Sequence, residues 1–207
     1  MLLLAAAGLG GSASAQVTSH PNLSAQLLVS ARQNDLAAVE RVLANGAAPN
    51  ARNRLGKTAL LLAAEKGNVA LAQRMLDAGA DVNLASLEGV TPLMAASYGG
   101  HVELVRKLLA QGARTEPVDR MRKPAIVYAA AQGHADAIEA LLDAGVDVNA
   151  TYENRLSALM WAAGQGHAAA VRRLLQRGAR VDARDDRGLS AQDIALREGH
   201  AEVAALF

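Results

Sequence analysis

Glycine returns every 33 residues in this chain, twice per period, and no other feature constrains the fold as tightly. One series runs Gly67, Gly100, Gly133, Gly166 and Gly199, with Asn34 one period earlier; the other runs Gly46, Gly79, Gly112, Gly145 and Gly178. Glycine, and less readily asparagine, adopts positive φ without steric cost, so it commonly follows the last turn of a helix. Two such helix ends per period predict two short helices per unit. The intervening residues fit this reading. Leu93, Ala96 and Ser97 lie three and four residues apart on one face of a first helix, and Leu104, Val105, Leu108 and Leu109 form the apolar stripe of a second. Thr91 is placed to cap the first helix, and Pro92 falls in its first turn, where a missing N–H costs nothing.

Composition sets what such helices can pack with. Hydrophobic residues make up 51% of the 207-residue chain but aromatic ones only 2%, so alanine and leucine must fill the core. That suits short helices in close layers. Lysine and arginine (21) nearly balance aspartate and glutamate (20), for a formal charge of +1. Such a balance gives no general attraction to nucleic acid or to an anionic membrane. The absence of cysteine excludes disulfides, thiol nucleophiles and thiolate metal sites.

The run Thr91-Pro92-Leu93 with Ala95-Ala96, Gly100-His101, Leu108-Leu109 and Gly112-Ala113 resembles the ankyrin repeat. The second unit matches at Thr58, Leu60, Ala63, Ala64, Gly67, Leu76 and Gly79. The fourth matches at Ile126, Ala129, Ala130, Gly133, His134, Leu141, Leu142 and Gly145, and the fifth at Leu159, Ala162, Ala163, Gly166, His167, Leu174, Leu175 and Gly178. The resemblance covers about residues 24–207. It implies an all-α ankyrin-repeat solenoid of about six helix-turn-helix units joined by short β-hairpin-like fingers, with units at 24–52, 53–85, 86–118, 119–151, 152–184 and 185–207. Two departures stand out. The first unit is degenerate, as expected of an end cap. The histidine that follows Thr-Pro-Leu in the family is replaced by Leu61, Met94, Val127, Met160 and finally Asp193, which trades a polar tether for apolar packing. Phe207, at the register of Leu174, is expected inside the last second helix, plugging the end of the core.

Ahead of the array, Leu2, Leu3, Leu4, Ala5, Ala6, Ala7 and Leu9 form a short uncharged apolar run, followed by Ala13-Ser14-Ala15. This reads as a signal peptide, residues 1–15, cleaved before Gln16, although no basic residue follows Met1. The run is too short to span a bilayer. Residues 16–23 read as a linker, with Asn22 or Ser24 capping the first helix of the array. The expected location is periplasmic or secreted, with no membrane insertion after cleavage, and the alanine and arginine usage points to a bacterial envelope protein.

His101, His134, His167 and His200 repeat at the same spacing. Stacked units lie about 10 Å apart, whereas ligands to one zinc ion must lie about 2 Å from it. The histidines are therefore read as structural. No nucleophile elbow, phosphate-cradling loop or His-Glu-x-x-His motif occurs. The chain is read as non-enzymatic, with no catalytic residues, no metal and no cofactor. Arg41, Arg74, Lys107 and Arg173 share one register on the second helices and read as a solvated face.

Framework residues being committed to stacking, the resemblance places partner binding on the fingers and on the exposed ends of the first helices. The candidate partner-binding residues are Arg54, Lys57, Leu87, Val90, Tyr98, Met121, Lys123, Tyr128, Asn154 and Trp161. Tyr98, Tyr128, Tyr152 and Trp161 carry nearly all the aromatic content, and such residues dominate binding hot spots. Tyr128 and Trp161 could equally pack between adjacent first helices. The expected function is an exported protein-binding scaffold or regulator, monomeric, with a protein partner and no nucleic acid. Alternatives are a secreted effector engaging host proteins and an accessory factor stabilising a periplasmic enzyme.

Overall fold

The computed structural model describes residues 21–207. The expected signal peptide and residues 16–20 of the expected linker lie outside the described residues. The first helices of the six pairs are α1 (Pro21–Gln33), α3 (Ala59–Lys66), α5 (Pro92–Tyr98), α7 (Ala125–Ala131), α9 (Ala158–Gly164) and α11 (Ala191–Arg197). Each is followed by its second helix: α2 (Leu36–Ala44), α4 (Val69–Asp77), α6 (Val102–Ala110), α8 (Ala135–Asp143), α10 (Ala168–Gln176) and α12 (Ala201–Ala204). First helices pack on first helices and second on second along the whole array, giving two layers around one continuous core. Helix α1 begins at Pro21, inside the segment expected to be linker. The fixed φ of proline is compatible with the first turn of a helix.

A side-chain cap starts four of the first helices, α3, α5, α9 and α11. Thr58, Thr91, Ser157 and Ser190 accept the N–H three residues on, from Leu61, Met94, Met160 and Asp193. Each such cap contributes about 1 kcal/mol. The residues that replace the family histidine behave as expected in four units, where Leu61, Met94, Val127 and Met160 are all buried. Asp193 restores the polar tether instead, accepting the Ser190 N–H at 2.9 Å. The Ser190 N–H and hydroxyl hold this carboxyl below the usual aspartate range, with Arg184 assisting.

The histidine and glycine series explain each other. The His134 Nε2 donates to the Tyr98 carbonyl at 2.9 Å, and His167 Nε2 donates to the Ala131 carbonyl at 3.0 Å, each reaching into the preceding unit. Their rings lie against Gly100 and Gly133, both at positive φ. A Cβ at either glycine would stand 2.5 to 2.7 Å from the ring Nδ1, so these positions require both the backbone freedom and the missing side chain. The first junction uses a different pair. Asn34 holds the positive φ (64°), and Asn68, in the histidine position, donates its amide to the Asn34 side-chain oxygen at 2.6 Å.

At the far end, α12 stops at Ala204, so Phe207 lies beyond the helix and not within it as expected. It is still half-buried against the core. The basic column on the second helices is not a uniform stripe: Lys107 donates to Gln73 at 2.7 Å, and Arg173 pairs with Asp136 and Glu139, each at 3.4 Å. Among the described residues, no helix is long and apolar enough to cross a membrane.

Candidate protein-binding surface

The fingers are tight turns at residues 53–57, 86–90, 119–123, 152–156 and 185–189, numbered 2 to 6 after the units they open. A polar side chain at the first position folds most of them. The Asn53 side-chain oxygen accepts the N–H of Leu55 and Lys57, Asp119 that of Met121 and Lys123, and Asp185 that of Arg187 and Leu189, all within 2.8 to 3.0 Å. Burial alone would raise the Asp185 carboxyl. The Leu189 and Arg187 N–H groups and the Arg187 guanidinium outweigh burial and hold it low. Ser86 does less, accepting only the Val90 N–H at 3.3 Å. In finger 5 the position is Tyr152, which cannot fold the turn this way. That finger instead makes a short 3-10 turn, Glu153–Arg155, with Asn154 and Arg155 both at φ 58°.

Neighbouring fingers are tied by one main-chain bond: Leu87 N–H to the Leu55 carbonyl, Arg120 to Glu88, and Asp186 to Asn154, at 3.0 to 3.1 Å. Among the described residues no such bond joins fingers 4 and 5, where Glu153 and Met121 would supply it. Steric reasoning accounts for the gap. Gly56 and Gly89 sit where a Cβ would come within 2.8 Å of Leu87 N and 3.0 Å of Asp119 Cα, so each finger closes against a bare glycine on the one before. Finger 4 has Arg122 there, at φ 54°. Its Cβ fills the space that finger 5 would need. Finger 5, whose 3-10 turn gives it a different shape, still bonds finger 6 despite Arg155. The result is a cleft of about 390 Å³ between fingers 4 and 5, lined by Met121, Arg122, Lys123, Tyr152, Asn154 and Trp161 among others.

A second depression, about 410 Å³, opens on the first-helix side of units 2 to 4, with Lys57, Glu65, Val90, Met94, Tyr98 and Tyr128 in its walls. Tyr98 and Tyr128 meet edge to face, centroids 5.9 Å apart at 78°, a favourable quadrupole arrangement. The Tyr128 hydroxyl donates to Asp119 Oδ2, so the carboxylate that folds finger 4 also anchors the groove wall. Burial, then this donation to an anion, push the Tyr128 hydroxyl far above the ordinary tyrosine range. Burial pushes Tyr152 up to about 12, with Asp147 adding to it. Lys57 closes one side of the groove by pairing with Glu65 at 2.6 Å. Lys123 Nζ stands 4.4 Å from the centre of the Trp161 ring, a cation–π contact that fixes the ammonium at the cleft mouth.

The residues singled out from sequence therefore divide. Lys57, Val90, Tyr98 and Tyr128 line the groove; Met121, Lys123, Asn154 and Trp161 line the finger cleft. Arg54 and Leu87 are exposed on finger tips and line neither. Trp161 and Tyr128 are half-buried and packed on the core while also facing these cavities, so the two readings of their register are not exclusive. Sequence reasoning missed Leu55, which is 60% exposed at the tip of finger 2. It also left Arg122 out of the candidate partner-binding residues. The available signal was a third glycine series, Gly56, Gly89 and Gly188, broken by arginine at 122 and 155.

A family model described as ankyrin repeats (3 copies) matches residues 27–120 and again residues 126–207. The chain belongs to the ankyrin-repeat family. No curated protein matches it. Its twelve described α-helices are the six helix pairs of an ankyrin solenoid, a fold class that typically binds proteins and carries no catalysis. In ankyrin terms the groove lies on the concave side and the cleft between the finger tips.

Proposed function

We propose that this ankyrin protein is an exported scaffold or regulator that binds a protein through its fingers and concave face. One observation carries the choice of face. Leu55, Leu87, Tyr98 and Met121 are exposed at 60, 59, 54 and 61%, and among the described residues no large exposed apolar side chain lies on a second helix. Of the other large exposed apolar side chains, Val29 and Leu196 lie on the first helices of the end units and Val118 and Val181 in loops. Large apolar groups gathered in water on the fingers and first helices mark an interaction surface. The second helices carry ion pairs instead: Arg177, at the end of α10, bonds Glu139 and Asp143 of α8 at 2.7 and 2.8 Å. A preorganised face also lowers the ordering cost of binding. An interface of about 800 Å² per side would span three or four units.

Export is supported by the apolar run Leu2–Leu9 and the small residues Ala13 and Ala15, which favour a periplasmic or secreted location. The test of binding is capture from a native envelope extract by wild type and by the Tyr98→Ala/Met121→Ala double variant. A protein retained by the first and lost by a still-folded variant supports the reading; equal retention by both refutes the face. An alkaline-phosphatase fusion carrying residues 1–30 tests export, since the enzyme is active only outside the cytoplasm. An inactive fusion of normal abundance refutes it.

A further inference from the structure

We propose that the cleft between fingers 4 and 5 receives an extended acidic segment of the partner, with Arg122 both opening the cleft and binding the carboxylate. The inference rests on the protein-binding reading and adds the chemistry of what is bound. It begins from backbone strain. The fourth finger position lies at positive φ in all five fingers, and three of them use glycine there. Fingers 4 and 5 use Arg122 and Arg155, a long side chain in a conformation that glycine takes without cost. These two arginines stand on the two fingers that fail to close on each other.

The charges around the opening are unspent. Among the described residues the lining cations Arg122 and Lys123 form no ion pair, whereas neighbouring Arg120 is bonded to Glu88 at 3.0 Å. Lys123 is held over Trp161 by its cation–π contact, which leaves its N–H groups directed to a ligand. Arg122 adds a planar fork suited to two carboxylate oxygens. The main chain contributes as well. The Glu153 N–H and Met121 carbonyl lack the partner that their equivalents have in the other fingers, so an extended peptide laid between them can supply one to each. A volume of about 390 Å³ admits a few side chains and not a folded domain. Glu153, in the cleft lining itself, confines the positive end of the cleft to Arg122 and Lys123, and with Glu88 and Asp186 on the flanking fingers it disfavours a continuous polyanion such as nucleic acid.

Trp161 is the chain's single tryptophan. It lines this cleft and also a neighbouring depression with Ile194 and Glu198, so the Arg122 variants assign a fluorescence change to the cleft. The experiment titrates the full chain with a blocked hexapeptide of alternating Glu and Val, and with its Gln-for-Glu counterpart. A saturable Trp161 change is expected with the acidic peptide, about tenfold weaker for the neutral one and weakened by salt. Arg122→Gln, which keeps the wedge and removes the charge, should weaken the acidic peptide about tenfold. Arg122→Gly should abolish binding and slow hydrogen exchange at the Glu153 amide, because finger 5 can then close. Equal response to both peptides, an unaltered response in Arg122→Gln, or unchanged Glu153 exchange in Arg122→Gly overturns the proposal. So does a Trp161 change on self-association without peptide, which would make a second copy the occupant. If the acidic peptide fails while envelope capture still depends on Tyr98 and Met121, this inference falls and the protein-binding reading stands.

Discussion

The two long sides of the stack are built on different rules. Along the turns between paired helices, one contact is copied from unit to unit: a histidine ring rests on the glycine of the preceding unit, at Gly100 and Gly133 with nearly the same distances. Along the fingers, a similar glycine device operates at Gly56 and Gly89 and is then abandoned at Arg122, where the row opens. A side chain shared by the junctions from unit 2 onward holds the array together and says nothing about a particular partner. A break confined to one junction, bordered by an aromatic ring and unpaired cations, is where this array differs from a generic one. Repetition of geometry within the chain thus separates framework from function without reference to any other protein.

That contrast can be broken or sharpened by substitution. The largest effect belongs to the shared core: Leu108→Ala, fully buried in α6, should cost about 2–5 kcal/mol in urea unfolding, because the stack cannot collapse onto the void. Next comes the keyed side. Gly100→Ala drives a Cβ into the His134 ring and should cost about 2–3 kcal/mol from the αL penalty plus the lost carbonyl bond. Gly112→Ala, at similar φ but facing open space, should cost only about 1 kcal/mol. Equal costs at the two positions would show that the histidine key contributes nothing.

Smaller still is the effect at a closed finger. Asp185 has a folded pKa below its unfolded value, so it stabilises the fold above about pH 4 and loses that contribution as pH falls through the depressed value. Asn53 does the same turn-folding work in finger 2 without a charge. Asp185→Asn should therefore lower the melting temperature slightly at pH 7, with the difference vanishing toward pH 2. A difference that grows in acid would contradict the assignment. Small in stability too is Tyr98→Ala at the groove, which should lose only its edge-to-face contact with Tyr128, about 1 kcal/mol, yet weaken partner binding by about 2 kcal/mol in calorimetry. A collapse of the fold in that variant would place Tyr98 with the framework.

Periodicity made the framework legible because helix capping, close packing and positive φ each restrict residue choice locally. Thr91, Pro92, Gly100 and Leu108 could be placed from sequence for that reason. The cavities were only half legible. Tyr98, Lys123 and Trp161 could be placed on the fingers and first helices, but their sorting into a groove and a separate cleft depends on how adjacent fingers meet. No spacing in the sequence encodes that meeting. Arg122 differs: its meaning was present as a missing glycine, and it becomes visible only once the space beyond Gly89 is known to be filled by finger 4. The position of Phe207 was misjudged because a helix end can be moved by a residue or two at little cost.

The Gly–His contact also bears on how such a chain can change length. Interior units mate through identical parts, so excising one whole period, for example residues 86–118, would rejoin a histidine to a glycine across the new seam. The first junction, made of Asn34 and Asn68, has no counterpart elsewhere in the stack. Bringing unit 3 directly against unit 1 would force a histidine onto an asparagine that has a Cβ where the ring must lie. On the histidine side, middle units are thus interchangeable cassettes, while units 1 and 2 form a matched pair that must be inherited together.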